Sequence, residues 1–365
     1  MEPAKISPFQ LFVLILLFQL SSALLFPIGI EAKQNAWLAI LIAMVGGFAI
    51  FFIYYALYSY YPDLLPTSYT QKILGNFFGK IVSFLYMLFI LYSTARALRD
   101  FGEMLAVIGY PNTPLIINHF LLILVVIYAV HKGIEVIGRT GEILFVFIYV
   151  LAILGFIFII SSDLINLSNL KPFLEDGIFP VAKVALTQVV FFPFGPVFVY
   201  SMIFPYVNQS KKIKKASLLA IGLVGINLAI STLINISVLG VDKIERTQIP
   251  LLNTVQAIEI AEFLQRLDIF FMLSIIILGF FKVAIYFYVV VIGTADLFRI
   301  KKPAQLAFPL SFVVLFLSIV IANNALEHIE EGKAISSLYI DFPLQVMIPA
   351  LLLLIAFFKN KKKKK

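Results

Sequence analysis

The sequence predicts an all-α polytopic membrane protein with ten transmembrane helices, a five-plus-five inverted repeat in which helices 1 and 6 are broken. Three observations predict it. Residues are 61% hydrophobic and 13% charged, more apolar surface than a soluble domain could hide. The apolar residues form continuous runs of about 20, enough to cross a bilayer as helix, whereas strand barrels show short alternating segments. Lysine and arginine gather in alternate loops, and the first and sixth runs contain proline and glycine.

The first run covers about 8–30 and holds Gln19, Ser21, Ser22 and Ala23, followed by Pro27 and Gly29. Lys5 ahead of it and the small residues 21–23 fit a signal peptide. The run continues through Ile30, however, and no soluble domain follows, so a retained span is expected. Runs at 36–60, 78–106, 115–131 and 143–161 complete the first half. The sixth, 183–206, is broken by Pro193, Gly195 and Pro196. A proline inside a helix deletes a donor and clashes with the preceding turn. In hydrocarbon the freed carbonyls have no water to turn to. Broken spans therefore point to a transporter-like binding site. Runs at 216–239, 267–297, 304–323 and 341–358 finish the count.

Short loops leave one permease-like domain over 1–365, with a first repeat at about 6–161, a second at about 183–358 and a basic tail at 359–365. Five spans per half is an odd number, which forces the halves to insert in opposite senses. Both broken spans then stand first in their halves. The external segment 240–266 carries Pro250 and then Leu251, Leu252, Val255, Ile258, Ala261, Phe263, Leu264 and Leu267, a spacing that fits an amphipathic surface helix. It is either a plain solvated helix or a lid over an external vestibule.

With the N-terminus inside, the cytoplasmic segments hold 18 Lys and Arg against nine outside, and five Asp and Glu against 15. This is the positive-inside pattern, with both termini cytoplasmic. Lys211, Lys212, Lys214, Lys215 and the run 361–365 supply most of it. These clusters suit anionic lipid and topology-setting rather than nucleic acid, despite a net charge of +8. There is no cysteine, so neither a disulfide nor a thiolate metal site is possible. No cofactor or metal is expected. His119, His131 and His328 are scattered, and neither H-E-x-x-H nor a phosphate-binding glycine loop occurs. The chain reads as no enzyme.

Lys282 is the charge farthest from a span end, 14 residues from both Asp268 and Asp296. At ~1.5 Å per residue each end is roughly 21 Å away, beyond the reach of its stem. A cation at such depth faces a cavity or a partner. It is either a structural tie to open carbonyls or a ligand or gating group. Arg96 with Asp100, and Arg99 with Glu103, stand i,i+4 near the outer end of span three. They form either a self-neutralising helix end or an outer gate. Pro193, Phe194, Gly195 and Pro196 would expose helix N-terminal amides that favour a carboxylate or another anion; otherwise they form a kink used only for packing. Ser21 and Ser22 offer hydroxyls at matching depth. Tyr92 and Tyr286, near mid-span, are candidates for the cavity wall.

Several segments together resemble spore germinant-receptor B subunits: Ile6-Ser7-Pro8-Phe9-Gln10 with Gln19-Leu20-Ser21-Ser22-Ala23, Leu98-Arg99-Asp100-Phe101-Gly102-Glu103 with Asn112-Thr113-Pro114, Leu170-Lys171-Pro172-Phe173-Leu174 with Gly177, and Phe192-Pro193-Phe194-Gly195 with Met202-Ile203-Phe204-Pro205-Tyr206. That family is similar to the amino acid/polyamine/organocation permeases. The resemblance implies the inverted-repeat fold, with ligand held between spans one and six by Ser21, Ser22, Ala23, Phe194 and Gly195. Spans three and eight would supply the side walls. It also implies the inner membrane of a bacterial endospore, an A-type membrane subunit and a C-type lipoprotein as partners, and a nutrient, an amino acid, as germination trigger. Pro196 stands where family members often carry an acidic residue after Phe-Gly. The alternatives are a stand-alone amino acid or organocation transporter and a structural subunit with a vestigial pocket.

Overall fold

The computed structural model describes residues 5–258, 268–332 and 339–363. Helix α1 (Pro8–Ala23) opens on a capping box: the Ser7 hydroxyl accepts from the Gln10 amide at 3.0 Å, and Gln10 Oε1 accepts from the Ser7 amide at 2.8 Å. Pro8 sits in the first turn, where its missing N–H leaves nothing unpaired. α2 (Ala36–Tyr60) matches the second apolar run, and the loop after it contains a short helix, α3 (Pro66–Leu74). α4 (Asn76–Ile108), α5 (Leu115–Lys132) and α6 (Ile134–Ser161) follow. α6 begins nine residues before the run that hydropathy marks at 143. Its first turns carry Glu135 and Arg139, whose i,i+4 ion pair suits an exposed helical face.

The sixth run is split into α7 (Ile178–Val184) and α8 (Val197–Ser201). Beyond it lie α9 (Ile213–Leu239), α10 (Val241–Glu245), α11 (Pro250–Gln256), α12 (Asp268–Phe298), α13 (Ala307–Val320), α14 (Ala325–Glu331) and α15 (Ile348–Lys363). Among the described residues eight helical segments are long and apolar enough to cross a bilayer. The first and sixth runs miss that length because their breaks divide them, leaving apolar helices at Pro8–Ala23, Ile178–Val189 and Val197–Tyr206. Of the expected surface helix over 250–267, α11 is seen and buries Leu252 and Thr254; residues 259–267 lie outside the described residues.

α12 is the axis of the fold. Every residue from 281 to 293 is buried, and the helix packs against α1, α4, α5 and α6. A helix apolar all round belongs at the centre of a bundle. Gly279 permits its closest approach to α4, since a side chain there would collide with the Phe101 ring. α6, α13 and α15 instead expose Ile143, Val146, Ile153, Phe316 and Leu351. Such broad apolar faces on long helices are what an integral membrane protein turns to lipid.

One face of the bundle carries both ends of the described chain. There the Ile6 amide donates to the Tyr206 carbonyl at 2.9 Å, and the Asn208 amide donates to Ile6 O at 3.0 Å. Thr67 and Ser68 donate to the Asp296 carboxylate, Ser68 at 2.7 Å. Lys359 Nζ donates to Ile73 O at 2.6 Å. These ties join the start of α1 to residues 206–208, and α3 to both α12 and α15, on this terminal face.

Candidate functional site

Both broken segments follow from their prolines. A proline ring clashes with the carbonyl four residues before it, and four residues before Pro27 is Ala23, the last residue of α1. The chain then runs irregularly over 24–29 and turns at Gly29, whose φ of 69° is left-handed and suits glycine. The interruption thus begins directly after Ser21, Ser22 and Ala23, which form the last turn of α1. In the sixth segment α7 widens into a single π-type turn, the Val190 amide donating to Ala185 O at 2.9 Å. Such turns recur at functional sites. Pro193 and Pro196 then keep 190–196 out of helix until α8 starts. Gly47 of α2 accepts the break at close range, for an added Cβ would lie 2.7 Å from Phe194 Cβ.

Between the two breaks lies a cavity of about 190 Å³, toward the face opposite the terminal one. That space equals roughly a dozen waters, the bulk of one small organic solute. The irregular stretch after α1 lines it with Phe26, Pro27 and Gly29, followed by Glu31; α4 adds Phe89, Tyr92, Arg96 and Asp100. The sixth segment contributes Gln188, Phe191, Phe192 and Pro196, and α12 contributes Lys282 and Tyr286. His328 and Ile329 of α14, then Asp341 and Gln345, close the ring.

Of the residues singled out in the sequence, Tyr92, Arg96, Asp100, Lys282 and Tyr286 border this cavity. Ser21, Ser22, Ala23, Pro193, Phe194, Gly195, Arg99 and Glu103 do not. Ser21 donates to Phe18 O at 2.7 Å within its own helix. Phe194 is wholly buried. Beside Gly195 stands the Gln345 side chain, so any larger residue would collide with it. Of the helix N-terminal amides beyond this break, that of Val197 donates to Gly195 O at 2.6 Å.

Arg96 does not pair with Asp100, its i,i+4 neighbour. Its guanidinium reaches α14 instead, meeting Glu331 Oε2 at 3.1 Å and donating to His328 O at 2.6 Å. Tyr92 donates to Glu331 at 3.0 Å. Asp100 accepts from Ser22 at 3.0 Å and faces His328 Nε2 at 2.7 Å. One carboxylate therefore joins the end of α1 to α14 across the cavity. Arg99 does hold Glu103, at 2.7 Å. It also donates to the open carbonyls of Ser318, Ile319 and Ala322 at the end of α13, a buried structural clamp.

From sequence His328 counts only among the scattered histidines, and Gln188, Asp341 and Gln345 carry no assigned site role. A signal existed for the last two: they stand i,i+4 at the start of an apolar run, and Gln345 donates to Asp341 at 3.0 Å. Pro343 between them opens a second π-type turn. His328 had no local signal, since its partner lies 228 residues away. The described part of 250–267 does not border this cavity, and the element at its edge is α14. Among the described residues no three His, Cys, Asp or Glu cluster as metal ligands.

The family described as Spore germination protein matches residues 5–326 of the chain. Spore germination protein KB of Bacillus subtilis (strain 168) is 46% identical over 365 residues, covering 100% of this chain and 98% of that protein. Spore germination protein YndE of the same organism is 23% identical over 326 residues, 88% of each chain. Spore germination protein B2, also from that organism, is 24% identical over 235 residues, 62% of this chain and 61% of its own.

Proposed function

The chain belongs to the family of spore germination proteins, and from that membership we propose that it is the nutrient-sensing, permease-like B subunit of a germinant receptor. It works in the inner membrane of an endospore beside an A-type membrane subunit and a C-type lipoprotein. It crosses the bilayer ten times as two inverted halves, the interrupted first and sixth segments being the two short crossings. Both termini are cytoplasmic, so the terminal face is the inner one and the cavity faces outward. The distribution of lysine and arginine supports that orientation.

The observation that carries the proposal is the cavity between the two breaks, with a buried lysine on its wall. A small nutrient, an amino acid, binds there. Ligand shifts the balance between open and closed states only if it binds one state better. α14 is the element placed to report the difference, because Asp100 ties it to the end of α1 and Arg96 to α4. The ties among Ile6, Tyr206, Thr67, Ser68 and Asp296 keep the inner face shut while the outer cavity is accessible.

Amino acid binding and radiolabelled uptake, measured on the full chain in proteoliposomes, test this reading. Binding without concentrative uptake is the expected result. Concentrative uptake by the lone protein would instead make it a stand-alone amino acid or organocation transporter.

A further inference from the structure

Lys282 is 5% exposed and borders the cavity from the centre of α12. Its Nζ lies 4.7 Å from the centroid of the Phe192 ring and 5.7 Å from that of Phe18. Aromatic faces attract a cation, but they do not replace a counter-charge. Among the described residues no carboxylate comes within 4.0 Å of it. Of the other charges on the cavity wall, Arg96 pairs with Glu331 and Asp100 with His328 and Ser22, and Glu31 and Asp341 also line it, beyond contact with Lys282. A buried cation without an anion is costly, and the cost falls when an anion arrives.

We infer that Lys282 is the anchor for a carboxylate on the ligand, so that the cavity takes only solutes bearing that group. The inference rests on the proposed nutrient site and adds which end of the solute it grips. At the start of α8 the Val197 amide already serves Gly195 O and the Val199 amide serves Pro196 O. The Phe192 and Phe18 rings displace water beside the ammonium, which strengthens its attraction for an anion. The solute's apolar body then lies along Phe26, Phe89 and Phe191.

The test uses the full chain in nanodiscs and reads thermal stabilisation by each of the common amino acids. Each amino acid that stabilises is compared with its decarboxylated amine and with its primary amide. Removing the carboxylate is expected to weaken apparent affinity roughly 100-fold, the scale of an unpaired buried charge. Lys282→Met should erase the difference between acid and amine, while Lys282→Arg should keep part of it. Amines that bind as well as their acids would overturn the anchor and leave the nutrient site standing. So would a Lys282→Met protein that still prefers the acid. Stabilisation by no amino acid would overturn the amino acid site and the anchor together. If Lys282→Met does not fold, the comparison of acid with amine on the unaltered protein decides alone.

Discussion

Asp100→Asn perturbs the junction between the end of α1 and α14. The carboxylate accepts from Ser22 at 3.0 Å and meets His328 Nε2 at 2.7 Å. Asparagine keeps one acceptor and turns its NH₂ toward the other donor, so one of the two contacts is lost. A hydrogen bond to a charged group contributes about 1.5–3 kcal/mol. Loss of ~2–3 kcal/mol on the α14 side speeds local opening roughly 30- to 150-fold. α14 would stay attached through Arg96, which holds Glu331 and His328 O independently. The expected change is therefore local. Amide hydrogen exchange in nanodiscs reads it directly, at the His328 amide that donates to Asn324 O at 3.1 Å. Exchange should accelerate by that factor across α14 and stay unchanged in the middle of α12. Unaltered exchange in α14, or equal acceleration throughout the bundle, would refute the coupling.

Other perturbations separate structural from functional groups. Arg99→Ala should lower the yield of folded protein and cost ~3–5 kcal/mol of stability, since it strands Glu103 and the carbonyls ending α13; thermal unfolding of the purified chain checks this. Gly195→Ala places a methyl against Gln345 and the Phe191 carbonyl. It should cost ~1–3 kcal/mol by overpacking and weaken amino acid binding, which titration on the purified variant measures. Asp296→Asn loosens the Thr67 and Ser68 ties on the terminal face and should raise passive solute leak in proteoliposomes, with Ser68→Ala producing a smaller rise.

Hydropathy located most long helices to within three residues, α6 and α15 being the exceptions, because a bilayer imposes both length and composition on what crosses it. α2 coincides with its run, and α4, α5, α9 and α12 start and stop within three residues of theirs. Breaks were legible as prolines, but their position needed the four-residue reach of the ring. Pro27 ends α1 at Ala23, so Ser21 and Ser22 stay helical. Lys282 was legible for a simple reason: a mid-span cation has few explanations. The wiring of Asp100 and Arg96 was not. Helical spacing sees only partners on the same helix, and these two side chains leave their own helix for a segment more than 200 residues later. The placing of α14 at the cavity follows from tertiary packing, which no local pattern encodes.

The account stands on a solute held between the two interrupted segments. A density map of the full chain, prepared with the amino acid that stabilises it most, tests this most directly. The solute should lie between 24–29 and 190–196, with its carboxylate on Lys282 Nζ. A solute bound elsewhere, or this cavity empty in a saturated protein, would contradict it.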